Sequence, residues 1–157
     1  MALNLTLPLR IAQALFALIM LGLTGYVAHW WSGWYHAYSP SQINFLLFTA
    51  IWTVFALLYL TLAPWKLPSA AHKFAILAVE ALTMLFWFAG WVALAVFLSN
   101  RVCFGHVCDA AKAAAVFGAF EWLLFAATTV MAAMHVFRTR GTGTTKPDPN
   151  MEVHQGV

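Results

Sequence analysis

Four long apolar runs occupy most of the chain and limit what it can fold into. They cover residues 9–31, 42–63, 73–98 and 111–137 of the 157. A helix needs about 20 apolar residues to cross the hydrocarbon core of a bilayer, and each run is long enough. Only 8% of the residues are charged, whereas soluble domains average about 25%, so an ordinary water-facing surface is excluded. The sequence therefore predicts an all-α fold, a bundle of four transmembrane helices.

The first run is predicted to be a retained span and not a signal peptide. Its apolar stretch from Ile11 to Trp31 exceeds the roughly 7 to 15 residues of a signal-peptide core. Residues 139–157 are rich in Thr, Gly and Pro, a composition typical of disorder. The predicted organisation is one transmembrane domain over residues 1–138, followed by a disordered cytoplasmic tail.

The basic residues predict the orientation in the membrane. Six fall on one side of a four-span topology and two on the other: Arg10, Lys66, Lys73, Arg138, Arg140 and Lys146 against Arg101 and Lys112. Cytoplasmic loops carry an excess of Lys and Arg. Both termini and the loop at 64–72 are therefore expected in the cytoplasm, with the loops at 32–41 and 99–110 outside.

The two cysteines, Cys103 and Cys108, fall in the predicted second outer loop. Because extracytoplasmic compartments are oxidising, a disulfide between them is the favoured interpretation. A metal site that adds His106, or two unpaired thiols, remain as alternatives. The paired Cys-x-x-Cys spacing that is typical of zinc sites is absent from the sequence, so no metal is expected.

Two carboxylates, Glu80 and Glu121, interrupt the apolar runs. Ionisable residues inside spans usually face the bundle interior and are functional candidates. At a rise of 1.5 Å per residue, Glu80 lies about 10 Å from the cytoplasmic end of its run and Glu121 about 13 Å from the outer end of its own. They therefore belong to different leaflets, and a catalytic pair that shares a proton is not expected.

Helical spacing predicts what surrounds these carboxylates. Glu121 belongs to a mostly small or polar stripe in the fourth run: Ala111, Ala114, Gly118, Glu121, Phe125, Thr128, Ala132 and His135. Such faces let helices approach closely, and Asn44 is the expected partner of Glu121. The candidate partners of Glu80 are Thr83, Gln13 and Arg10, although neither carboxylate has an evident basic neighbour at its own depth. The first run carries a second small stripe, Ala14, Gly22, Gly25 and Ala28, so Gly22, Gly25, Ala114 and Gly118 are the predicted helix-packing residues.

Three roles are open for the carboxylates: hydrogen bonding between helices, a proton relay or cation site, and contact with lipid headgroups. Hydrogen bonding is favoured, because polar side chains commonly link helices in lipid. In that role Glu80→Gln would be tolerated, whereas Glu80→Leu would disturb assembly.

Several long segments together resemble the MARVEL domain family, and its fungal branch in particular. They are PSQINFLLFTAIWTVFALLYL (40–60), HKFAILAVEALTMLFWFAGWVALAVFL (72–98), CFGHVCDAAKAAAVFGAFEWLLFAATTV (103–130) and MEVHQGV (151–157). The resemblance implies a non-enzymatic tetraspan protein of sterol- and sphingolipid-rich plasma-membrane microdomains, linked in fungi to eisosome-type furrows. It supplies no catalytic motif. The tail of this chain is short and weakly charged, so the resemblance does not imply for it a role that belongs to longer tails in relatives.

The predicted function is that of a non-enzymatic integral membrane protein that organises or shapes plasma-membrane microdomains. Lateral self-assembly into homo-oligomers and contact with membrane lipids are the expected means. No cofactor is expected beyond a bound lipid, which would be a sterol, sphingolipid or phospholipid. Phosphate-binding loops, nucleophile elbows and zincin motifs are absent, and nothing resembles a nucleic-acid surface. The alternative is a small proton- or ion-coupled transporter or channel that uses Glu80 and Glu121, although transporter-like repeats and broken spans are not evident.

Overall fold

The computed structural model describes residues 3–34, 38–66, 72–102 and 105–139, and these form four α-helices. They are α1 (Leu3–Trp34), α2 (Ser41–Lys66), α3 (Lys73–Ser99) and α4 (His106–Thr139). Each contains one predicted run, and each is long and apolar enough to cross a membrane. The prediction of an all-helical chain with four membrane-spanning helices is therefore confirmed for the described residues. The orientation and the tail remain predictions.

The first and last helices of the chain, α1 and α4, start earlier than the apolar runs indicated. α1 begins at Leu3, six residues before the predicted run, so Arg10 lies about two turns inside the helix and not at its start. α4 begins at His106, directly after Gly105, whose φ is +90°. Glycine adopts this backbone conformation without the steric penalty of a side chain. The Gly105 carbonyl then accepts the backbone N–H groups of Cys108 and Asp109 at 3.0 and 3.2 Å, which starts the helix upstream of the apolar residues.

The helices form a closed bundle in which α1 and α3 each pack against both α2 and α4. We call the end with the start of α1, the end of α4 and the α2–α3 connection the terminal end, and the opposite one the loop end. The main apolar core includes Met20, Leu46, Trp87 and Phe125. A smaller cluster at the terminal end contains Leu60, Ala63, Ile76 and Val136.

Polarity is distributed in the opposite way to a soluble bundle. Large apolar side chains face outward on every helix, such as Leu7, Phe55, Leu85 and Phe137, which are 54–66% exposed. The buried polar and charged side chains include Arg10, Gln13, Thr24, Thr49, Thr53, Glu80, Thr83, Glu121 and Thr128. Such an arrangement suits lipid, which solvates apolar side chains and leaves polar groups to find partners inside the protein.

Candidate functional site

A buried ion pair joins α1 to α3 in the terminal half of the bundle. The guanidinium of Arg10 donates to Oε1 of Glu80, and both side chains are at most 5% exposed. Arg10 also donates to Oε1 of Gln13, one helical turn away, at 3.1 Å. The expectation that no basic residue shares the depth of Glu80 is therefore wrong. Arg10 reaches the depth of Glu80 because α1 starts early, which places Arg10 within the bundle and not at the membrane surface.

Thr128 of α4 completes the arrangement and brings in a third helix. Its hydroxyl lies 2.8 Å from Oε2 of Glu80, which accepts, and 3.3 Å from Nε2 of Gln13, which donates. We call Arg10, Gln13, Glu80 and Thr128 the polar ring. Each of its members contacts the next, so hydrogen bonds link one cation, one anion and two neutral groups. A buried pair without such additional hydrogen bonds would be costly to desolvate.

Thr83, the third candidate partner of Glu80, serves a different contact. Its hydroxyl accepts the indole N–H of Trp52 at 3.0 Å and donates to the carbonyl of Val79 at 2.7 Å. In the opposite direction, Trp87 of α3 donates its indole N–H to Thr53 of α2, also at 3.0 Å. Two reciprocal tryptophan–threonine bonds thus join α2 to α3. These two bonds were not predicted from the sequence, although all four residues lie on the faces of α2 and α3 that turn toward each other.

Glu121 differs from Glu80 in having no hydrogen-bond partner among the described residues. It is completely buried, and neither carboxyl oxygen is bonded. Its expected partner Asn44 is exposed and donates instead to the carbonyl of Ser39 at 3.3 Å. The expected Asn44–Glu121 contact is therefore wrong. Asn44 lies so near the start of α2 that a local backbone acceptor is closer.

All eight residues of the predicted α4 stripe are buried. Ala114 is fully enclosed, and a Cβ on Gly118 would lie 3.1 Å from Cβ of Trp91. Both therefore lie where helices approach closely. A packing glycine that the sequence analysis missed is Gly90, where a Cβ would lie 2.5 Å from Cδ2 of Leu46 on α2. Its signal was the helical spacing from Thr83 and Trp87.

The two glycines predicted to pack α1 do not do so within the bundle. A Cβ on Gly22 or Gly25 would meet nothing within 4 Å. Gly22 is exposed and Gly25 only partly buried. Neither glycine packs against another helix of the same chain, because this side of α1 faces away from α2 and α4. Their role in packing against another copy stays a prediction.

The described residues hold no group of three or more His, Cys, Asp or Glu side chains that could bind a metal ion. Cys108 is buried at the start of α4, whereas Cys103 lies outside the described residues. The predicted disulfide therefore remains a prediction. What the geometry provides is a bundle with polar contacts in its interior and an apolar exterior.

Comparison with known proteins identifies one family. The family model named MARVEL, described as a membrane-associating domain, matches residues 2–131, which include all of α1, α2 and α3 and most of α4. No curated protein and no solved structure matches the chain. The fungal branch remains a prediction.

Proposed function

Because the chain belongs to the MARVEL family of membrane-associating domains, we propose that it organises plasma-membrane microdomains as a non-enzymatic integral membrane protein. Lateral self-assembly and lipid contact are the proposed means. The observation that carries the proposal is the apolar exterior of four spans that keep both intramembrane carboxylates inside. Lipids and other membrane proteins can thus contact the apolar exterior of the protein from the side.

The proposal of self-assembly is supported by the outer face of α1. Gly22 lies on that face between Leu18 and Tyr26, which are 59% and 49% exposed. With no atom near its Cβ position, Gly22 leaves a notch between two larger side chains. Small residues of this kind let the backbone of another transmembrane helix approach closely. The notch is therefore the proposed contact between copies of the chain.

A leucine at the notch tests the proposed contact. We expect Gly22→Leu to reduce chemical cross-linking between copies in native membranes, while the bundle stays folded because the position is open. The matched control is Ala93→Leu, an exposed small residue on α3, which should cross-link as the unchanged protein does. A chain that is monomeric in native membrane extracts would overturn self-assembly. Equal effects of both variants would instead place the contact elsewhere.

The microdomain part of the proposal is tested by imaging. A fluorescently tagged chain should occupy discrete plasma-membrane patches that disperse when sterol or sphingolipid is depleted. A uniform distribution that ignores both treatments would contradict it.

One observation favours the alternative of a proton-coupled transporter. Glu121 is buried without a partner among the described residues, as a carboxyl that exchanges protons would be. Glu80, in contrast, is held by Arg10 and Thr128. Proton flux into liposomes decides between the functions. Proton flux that the Glu121→Gln substitution abolishes would favour transport. If the unchanged protein carries no proton flux, the organising role is favoured.

A further inference from the structure

A pocket of about 210 Å³ opens at the loop end of the bundle. All four helices contribute to its lining, including Trp31 of α1, Ile43 of α2, Phe97 of α3 and Val107 of α4. Its volume exceeds that of the roughly 150 Å³ apolar cavity that binds benzene. It is well below the 300–1,000 Å³ typical of pockets for drug-sized ligands, taking these as approximate limits. The pocket therefore has room for part of one aliphatic chain and not for a whole diacyl lipid.

The lining is apolar except for one cation, Arg101, which follows the end of α3. Its guanidinium carbon lies 4.7 Å from the centre of the Phe97 ring, so the charge is held beside the pocket. Arg101 itself is exposed, and no described carboxylate forms a salt bridge with it. A ligand that ends in an anionic group would place that group on Arg101 and its chain among the apolar side chains.

The position of the pocket in the membrane supports the same ligand. Trp30 and Trp31, which both line it, are perpendicular to each other at 6.0 Å between ring centres. Tryptophans are enriched where the hydrocarbon meets the headgroups. A ligand whose hydrocarbon chain enters from this end therefore keeps its polar group at the level of the headgroups.

From these observations we infer that the pocket binds the hydrocarbon chain of a long-chain carboxylate, a free fatty acid, with its carboxylate on Arg101. A sterol matches the pocket less well because its hydroxyl is neutral, and a pocket of about 210 Å³ is too small for a diacyl phospholipid. The inference requires only the folded bundle. It does not depend on self-assembly or microdomain residence, so failure of either leaves it untouched.

Photo-cross-linking of the full chain tests the site. In nanodiscs of phosphatidylcholine, a diazirine analogue of palmitic acid should label peptides that line the pocket. Arg101→Gln should weaken that labelling about tenfold, as expected for loss of a charge-assisted hydrogen bond. The matched control is Lys112→Gln, which removes an exposed cation near the start of α4, at the same end of the bundle. It should leave the labelling unchanged.

A second variant and three competitors make the outcome decisive. Val107→Trp, at a half-buried position, should fill the pocket and abolish its labelling. Palmitic acid should compete, whereas hexadecanol and cholesterol should compete at least tenfold less well. Equal effects of Arg101→Gln and Lys112→Gln would overturn the inference, as would stronger competition by cholesterol. Labelling confined to the lipid-facing sides of the helices would overturn it as well.

Discussion

At the scale of single residues, Glu80 and Glu121 have different environments, although each is a carboxylate within an apolar run of the sequence. Glu80 is part of the polar ring, where Arg10 and Thr128 hold its two oxygens. Glu121 has neither a cation nor a hydrogen-bond donor among the described residues. From the sequence, Glu80 is expected to be a hydrogen-bonding group that glutamine could replace. With Arg10 against it, a glutamine would leave a buried cation without its counter-ion.

Substitution of Glu80 should therefore destabilise the bundle strongly. We expect Glu80→Gln and Glu80→Leu each to cost about 3 kcal/mol or more, because removing one partner of a buried ion pair isolates the other. The double variant Arg10→Gln/Glu80→Gln should cost less than the two single changes together. Reversible unfolding in mixed micelles, followed by circular dichroism, measures these values. Additive costs would show that the ion pair does not couple α1 to α3.

The glycines provide a test of backbone approach. Gly90→Ala should destabilise the protein by about 1–3 kcal/mol, since its new methyl group would require Leu46 to move. The control is Gly22→Ala, where the space is open. It should be neutral, or stabilising by up to about 1 kcal/mol because alanine favours the helix. The same unfolding experiment compares them, and an equal effect at both sites would contradict the close contact with Leu46.

At the scale of helices, two kinds of polar contact join different parts of the bundle. The ion pair and its hydrogen bonds connect α1, α3 and α4, whereas indole and hydroxyl groups connect α2 to α3. The buried face of α4 followed from the spacing of small and polar residues, because 3.6 residues per turn bring those positions onto one side. Which helix each face meets did not follow from that spacing.

The two tryptophan–threonine bonds predict a modest and distributed contribution. Trp52→Phe and Thr53→Val should each cost about 0.6 kcal/mol and at most about 1.7, the range of hydrogen bonds between transmembrane helices. Because each variant breaks a different bond, the costs should add in the double variant. Thr129→Val is the control, since the buried Thr129 hydroxyl has no partner among the described residues. A larger loss at Thr129 than at Thr53 would contradict this assignment.

At the scale of the whole molecule, the structure changes the weight of one residue in the predicted orientation. Arg10 was counted among the cytoplasmic charges, but it lies buried and paired with Glu80. A cation neutralised inside the bundle contributes little to the asymmetry of exposed charge. Lys73 is buried as well, and without these two residues the basic residues still favour the terminal end, four to two, so cytoplasmic termini remain the prediction.

Cysteine labelling tests the orientation and the disulfide together. In intact cells, a membrane-impermeant maleimide should label Cys103 only after reduction, and only from outside. Cys108 is buried and should react more slowly. Labelling without reduction would contradict the disulfide, and labelling from the cytosolic side alone would reverse the topology. A cysteine placed near the end of α4 should give the opposite sidedness.

The sequence by itself determined the helices, their number, their capacity to cross a membrane and the buried side of α4. These follow from local hydrophobicity and from the helical period, which depend only on neighbouring residues. Only the tertiary structure decided that Arg10 pairs with Glu80 and that Thr83 accepts a hydrogen bond from Trp52. It also decided that Gly90 packs against α2 while Gly22 faces outward. Such contacts join residues far apart in the chain, and their selection depends on how the helices are placed and rotated against one another. A single helix's pattern does not contain that information.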